Sequence, residues 1–220
     1  SACLVGSEMC IRDRLFIEEG PIVQVKMSDG QVRVQNDEDK GISYKGPLIV
    51  LINQFSASAS EILAAALQDY NRAIVVGSDH THGKGTVQTI LELDKNISSH
   101  VEDLKPLGAL KITIQKFYRV NGGSTQYKGV TPHLILPDVY GYIDSGEKSL
   151  DYSLPWDELK PLVIKKWKEY DVDVKTLAKK SEERTKKDSH FKSITDKNIY
   201  MKKRRDETKI SLNLKSVRDQ

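Results

Sequence analysis

GPLIVLINQFSASASEILAAALQDYNRAIVVG, residues 46–77, is the stretch that decides the fold. Its opening, Gly46–Asn53, is a continuous apolar run, the pattern of a strand buried on both faces. Small hydroxyl residues follow, then Glu61, then Ala/Leu-rich text that reads as a helix ending near Tyr70. Ser58 and Ser60 suit the helix N-cap, where a hydroxyl accepts hydrogen bonds from the first free main-chain N–H groups. Ala73–Gly77, AIVVG, reads as a second buried strand. Strand, helix and strand within about 30 residues form a βαβ unit, and its crossover implies parallel pairing. The predicted fold class is α/β.

Working outward, Gly20–Met27 and Gln31–Gln35 flank the turn Ser28-Asp29-Gly30 and predict a hairpin. GTVQTILEL and ALKITIQKFYRV read as further strands, with a turn at Asn121-Gly122-Gly123-Ser124 after the second. Past Leu154-Pro155 the composition changes. Glycine disappears after Gly146, and Lys/Glu-rich text such as DELKPLVIKKWKEYDVDVKTLAKKSEERTKK predicts helix. The expected division is a domain over 15–153 and a basic helical C-terminal extension over 154–220.

The formal charge of +3 is unevenly spread. Residues 156–220 hold 19 Lys/Arg against 12 Asp/Glu, so residues 1–155 are net acidic, and nothing electrostatic marks them as a nucleic-acid binder. The longest apolar run, Pro47–Ile52, is far short of the roughly 20 residues of a membrane-spanning helix. Both cysteines fall in SACLVGSEMCIRDR, residues 1–14, which lacks the layout of a signal peptide. This stretch resembles a translated sequencing adapter and is expected to be a foreign leader. Without it the chain has no cysteine, and disulfides, Cys–zinc sites and thiol catalysis drop out together.

Two segments could carry chemistry. The serine cluster at the strand-to-helix turn sets hydroxyls at a helix N-terminus, where free N–H groups and the helix dipole favour a developing oxyanion. A serine nucleophile needs a base, and spacing does not say which of Ser56, Ser58 and Ser60 would act. All three also make good caps. The second segment, GSDHTHGKGTVQ (Gly77–Gln88), sets Lys84 between Gly83 and Gly85, so the backbone can approach another element closely. Lys84 could be a phosphate ligand, but the Walker pattern fails at Ser78 and Gly85. It could be a surface lysine. It could also be a general base, because a desolvated amine gives up its charge more readily. His80 and His82 offer a rival, as a Ser–His–Asp triad with Asp69 or as metal ligands. No third ligand has metal-site spacing, and G-x-S-x-G is absent. No metal and no cofactor is expected.

The text from Gly46 to Gln88 closely resembles the catalytic core of the tail-specific, or carboxyl-terminal processing, serine proteases. LKITIQKFYRVNGGSTQYKGVTPHLILPD and then SLPWDEL resemble the larger periplasmic branch of that family. The resemblance covers about residues 15–160 and joins two separated motifs, S-A-S-A-S-E and G-K-G-T-V-Q, in the right order. It implies a Clp-protease/crotonase-like domain with a Ser–Lys dyad: Ser58 as nucleophile, Lys84 as base, and Gln88 orienting the lysine. On an extended strand an offset of four returns Lys84 and Gln88 to one face. The N–H of Ala59 would supply one oxyanion donor. Asp69 occupies an acid position in this branch and reads as structural support.

The resemblance further implies protein or peptide substrates with apolar C-termini, a periplasmic location, a membrane-anchored lipoprotein adaptor as partner, and no nucleic acid. Two departures stand out. The loop before Lys84 is one residue longer than in some relatives. The family's upstream glycine-rich strand-turn, with its second oxyanion donor, and its PDZ domain have no counterpart, so the chain reads as the C-terminal piece of an enzyme. The alternative from another class is a non-catalytic binding module.

Overall fold

The computed structural model describes residues 15–37, 41–96, 105–169, 172–209, 212, 213 and 215. The stretch 1–14, read as a foreign leader, lies outside them. The described elements are β1 (Gly20–Met27), β2 (Val32–Asp37), β3 (Ile49–Ile52), α1 (Ala59–Asp69), β4 (Ile74–Gly77), β5 (Thr86–Glu92), β6 (Ala109–Tyr118), β7 (Leu134–Ile135), α2 (Val174–Lys187) and α3 (Ser189–Asp206). They build two sheets. One is antiparallel in the order β2-β1-β6-β5, and the other is parallel in the order β3-β4-β7.

The βαβ unit forms as its pattern predicts. β3 and β4 pair in parallel, from Ile49 opposite Ile74 to Ile52 opposite Gly77. The helix between them is buried on most of its circumference, at Ile62, Ala64, Ala65, Ala66 and Leu67. A helix apolar nearly all round must sit between two partners. Ile62, Ala66 and Leu67 pack with Val23, Val25 and Phe117 of the antiparallel sheet, while Ala64 and Ala65 pack with Ile52 and Val75 of the parallel one. Alanine at these positions lets both sheets approach closely, and this wedge fixes where the N-terminus of α1 points.

Two expectations are corrected. β3 is not buried on both faces: Ile52 is covered, but Ile49 is 65% and Leu51 76% exposed. β3 is an edge strand of its sheet, and the face that bears Ile49 and Leu51 is largely exposed. A continuous apolar run shows that a strand can be buried twice, not that both neighbours are present.

The Lys/Glu-rich text is not helical from its start. Residues 156–169 run extended over the antiparallel sheet, with a bridge between Gly123 and Glu158. The N–H of Leu159 donates to Gly122 O at 2.8 Å, Leu162 to Val120 O at 2.8 Å and Trp167 to Tyr70 O at 2.8 Å. Pro161, which has no N–H and clashes with a preceding turn, and the β-branched pair Val163-Ile164 disfavour helix here. Helix begins only at Val174, capped by Asp173, whose carboxylate accepts from Thr176 N at 3.1 Å. β7 has two residues, too few for any alternation to show in the sequence.

Candidate active site

α1 begins at the serine cluster, and the three serines differ in what they do there. Ser56 Oγ accepts from Asn53 N at 3.2 Å, closing the turn that leaves β3. Ser60 Oγ turns back to donate to Ala57 O at 2.8 Å. Ser58 is the N-cap, half-buried, with φ 57° and ψ −114°. A positive φ at a non-glycine residue costs on the order of 1–3 kcal/mol and persists only where its surroundings enforce it. We therefore expect Ser58→Gly to be more stable than Ser58→Ala by about 1 kcal/mol in chemical denaturation. Equal stabilities would show that the backbone here is unstrained.

What enforces the conformation is Glu61, one turn into the helix and 0% exposed. Its Oε2 accepts from Ser58 N at 2.8 Å and from Lys84 N at 2.9 Å. A single carboxylate oxygen thus separates the main-chain nitrogens of Ser58 and Lys84. Its Oε1 accepts from Gly83 N at 2.7 Å and from the hydroxyl of Thr81. Thr81 Oγ1 itself accepts from Val130 N at 2.7 Å, so its own hydrogen is directed to Glu61. Burial pushes the Glu61 carboxyl above its ordinary range, and these four hydrogen bonds pull the other way.

The loop bearing Lys84 is held from its other side through its glycines, as the sequence suggests. A Cβ on Gly83 would lie 3.0 Å from Tyr127 O, and one on Gly85 only 2.3 Å from Gln126 N. Gly85 N donates to Gln126 Oε1 at 2.9 Å, and Tyr127 N to Gly83 O at 2.8 Å. Lys84 between them is half-buried. At the helix start, Ser60 N and Glu61 N donate to Ala57 O and Ser58 O, whereas Ala59 N–H has no acceptor among the described residues. The main chains of Ser58 and Lys84 thus meet at the N-terminus of a helix, where the dipole favours a developing negative charge.

Residues 7–136 match the model of peptidase family S41. The chain belongs to that family. Residues 140–220 match the C-terminal domain of tail specific protease. The tail-specific protease of Haemophilus influenzae is 43% identical over 91% of this chain, which covers 29% of that protein. The carboxy-terminal-processing protease of Bartonella bacilliformis is 39% identical over 61% of the chain, covering 30% of the relative. The carboxy-terminal processing protease CtpA of Bacillus subtilis is 31% identical over 78% of the chain, covering 37% of the relative. The chain therefore spans about a third of the length of these curated relatives.

The remaining candidates in this S41 chain separate clearly. Asp69 is the last residue of α1, so it lies about 15 Å along the helix from its start. It pairs with Arg119, Oδ1 to Nη2 at 2.6 Å and Oδ2 to Nε at 3.1 Å, and Asn121 Nδ2 donates to Oδ1 at 3.0 Å. Its role is to tie the helix to the end of β6. Both side chains of the pair are largely buried. Asp69→Ala should cost about 3 kcal/mol of unfolding free energy, because Arg119 is left uncompensated. A loss of activity with unchanged stability would instead restore a triad role.

His80 Nε2 lies 2.9 Å from Lys148 Nζ and its Nδ1 2.7 Å from Thr81 O, so both ring nitrogens are occupied. Among the described residues, no hydrogen bond links either the His80 or the His82 ring to Ser58. Nor is any group of three or more His, Cys, Asp or Glu side chains among them placed to hold a metal ion. Gln88 is exposed on β5, which begins only at Thr86, with a register shift between Val87 and Gln88. That bulge breaks the period-two alternation, and no hydrogen bond joins Gln88 to Lys84 among the described residues.

Sequence reasoning passed over two residues. Glu61 looks like an ordinary capping-box glutamate, three residues after Ser58, and that spacing was the available signal. Gln126, 0% exposed, gave none. It accepts from Gly85 N and donates to Glu147 Oε1 at 3.0 Å and to Leu154 O at 3.2 Å.

Proposed function

We propose that this chain carries the catalytic dyad of a serine endopeptidase, with Ser58 as nucleophile and Lys84 as general base, in a Clp-protease/crotonase-like domain. The observation that carries the reading is the shared carboxylate oxygen of Glu61, which ties both main-chain nitrogens to one point. Lys84, in its amine form, takes the Ser58 proton as Oγ attacks the scissile carbonyl. The oxyanion faces Ala59 N–H. Collapse of the tetrahedral intermediate breaks the C–N bond, and Lys84 returns the proton to the leaving amine. Water, deprotonated by Lys84, then hydrolyses the ester.

Family membership and the identity with the tail-specific protease of Haemophilus influenzae support a processing role. By the same likeness we propose polypeptides with apolar C-termini as substrates, the bacterial periplasm as the compartment, and a membrane-anchored lipoprotein as adaptor. Gln88 is proposed to orient Lys84 once substrate is bound. The test is covalent labelling with a fluorophosphonate, followed by peptide mapping. Modification should fall on Ser58 and vanish in Ser58→Ala. Labelling confined to another serine would overturn the assignment.

A further inference from the structure

The strap Pro137–Leu150, which follows β7, touches both catalytic loops and the last helix. On the nucleophile side, Gln54 Nε2 donates to Tyr140 O at 3.0 Å, and the Tyr140 ring meets Phe55 edge-on at 5.3 Å. These contacts lie just ahead of Ser58. On the base side, Ser78 Oγ donates to the Asp138 carboxylate, Glu147 N donates to His82 O at 2.8 Å, and Lys148 reaches His80. A Cβ on Gly146 would lie 2.5 Å from His82 O, so the strap presses against the backbone two residues before Lys84. Residues 53–58 and 78–85 have no ladder of their own, so the groups packed on them set their shape.

The strap is itself irregular apart from a 3-10 turn at Glu147–Ser149. It borders an open cleft of about 1230 Å³ between the parallel sheet and the two C-terminal helices. Across that cleft, α3 pins it twice. Asn198 Nδ2 donates to Asp138 O at 2.7 Å, and Arg205 Nη1 donates to Tyr142 O at 2.7 Å while pairing with Asp144 at 2.9 Å. A Cβ on Gly141 would come within 2.9 Å of Asn198 Nδ2, so the strap lies hard against the helix there.

We propose that α3 positions the Ser58–Lys84 pair through this strap, with Asn198 and Arg205 as its positioning residues. The inference rests on the reading of Ser58 and Lys84 above. Neither α3 residue touches the reacting atoms. They hold one backbone segment that in turn holds the two loops, and small displacements of a catalytic pair are costly.

The test compares the 220-residue chain with its Asn198→Ala/Arg205→Ala double variant, using the rate of Ser58 labelling by a small fluorophosphonate. That rate should fall about tenfold, since a 1 Å misplacement can cost as much as 10²-fold. The melting temperature should hold, and amide exchange should quicken in residues 53–58 and 78–85 but not in the body of α1. Replacing Arg205→Ala by Arg205→Lys in the double variant, which returns a donor to Tyr142 O, should recover part of the rate. Lys197→Ala, exposed on the same helix, should change nothing. A double variant that labels at the parent's rate overturns the inference alone, as does a fall that merely follows a lowered melting temperature. A parent never labelled at Ser58, either as this chain or with the family's upstream strand-turn restored ahead of it, overturns the peptidase reading and this inference with it.

Discussion

Lys84→Ala is expected to reduce Ser58 acylation and peptide cleavage by at least about 10³-fold, at the strong end of what removal of a general base costs. Lys84→Arg should be equally inactive, since a guanidinium does not give up its proton near neutral pH. His80→Ala and His82→Ala should lose far less, because one ring is occupied by Lys148 and Thr81 O and, among the described residues, neither is hydrogen-bonded to Ser58. The loss in Lys84→Ala should appear in kcat rather than KM, the mark of a group that acts in the transition state. Single-turnover acylation with matched concentrations of each variant is the measurement. An intact rate in Lys84→Ala, or a loss confined to His82→Ala, would replace the dyad with a histidine base.

Glu61→Gln should be the most damaging conservative change. The amide keeps the shape but sets an NH₂ donor where the carboxylate accepted from Ser58, Gly83 and Lys84 N–H and from the Thr81 hydroxyl. At least one buried donor is left facing another, and a loss of about 3 kcal/mol is expected. Ser58 labelling should fall with it, because one substitution releases both loops.

The pH dependence has a definite sign. Desolvation raises the folded-state pKa of Glu61 above its ordinary 4.5, so within that window the folded chain holds the proton more tightly than the unfolded one. Stability from this group is thus greatest on the acid side and declines as pH rises through the window. Glutamine does not titrate. The stability advantage of the parent over Glu61→Gln should therefore shrink from about pH 4.5 upward and then level off. Denaturation curves of both chains across that range measure it, and an advantage that grows with pH would show that the hydrogen bonds outweigh desolvation.

Local chemistry is written in the chain. The apolar runs Leu48–Ile52 and Ala73–Val76 on either side of an Ala/Leu-rich helix determined the βαβ unit. Gly30 and the Asn121–Ser124 stretch determined two turns, and Gly83 and Gly85 announced a close backbone approach around Lys84. Each of these rests on neighbours within a few residues, where period, cap and turn chemistry operate. Spacing did not separate Ser56, Ser58 and Ser60, and only the family resemblance named Ser58; of the three, Ser58 alone takes a positive φ once the chain bends. The exposed face of β3 and the extended course of residues 156–169 depend on what lies across from them, as does the bulge before Gln88. Glu61 is the clearest case. A glutamate at the third position of a helix caps its own N-terminus in any protein. Only the return of the chain some twenty residues later, bringing the N–H groups of Gly83 and Lys84 onto the same carboxylate, turns a local cap into the joint between the loops that carry Ser58 and Lys84.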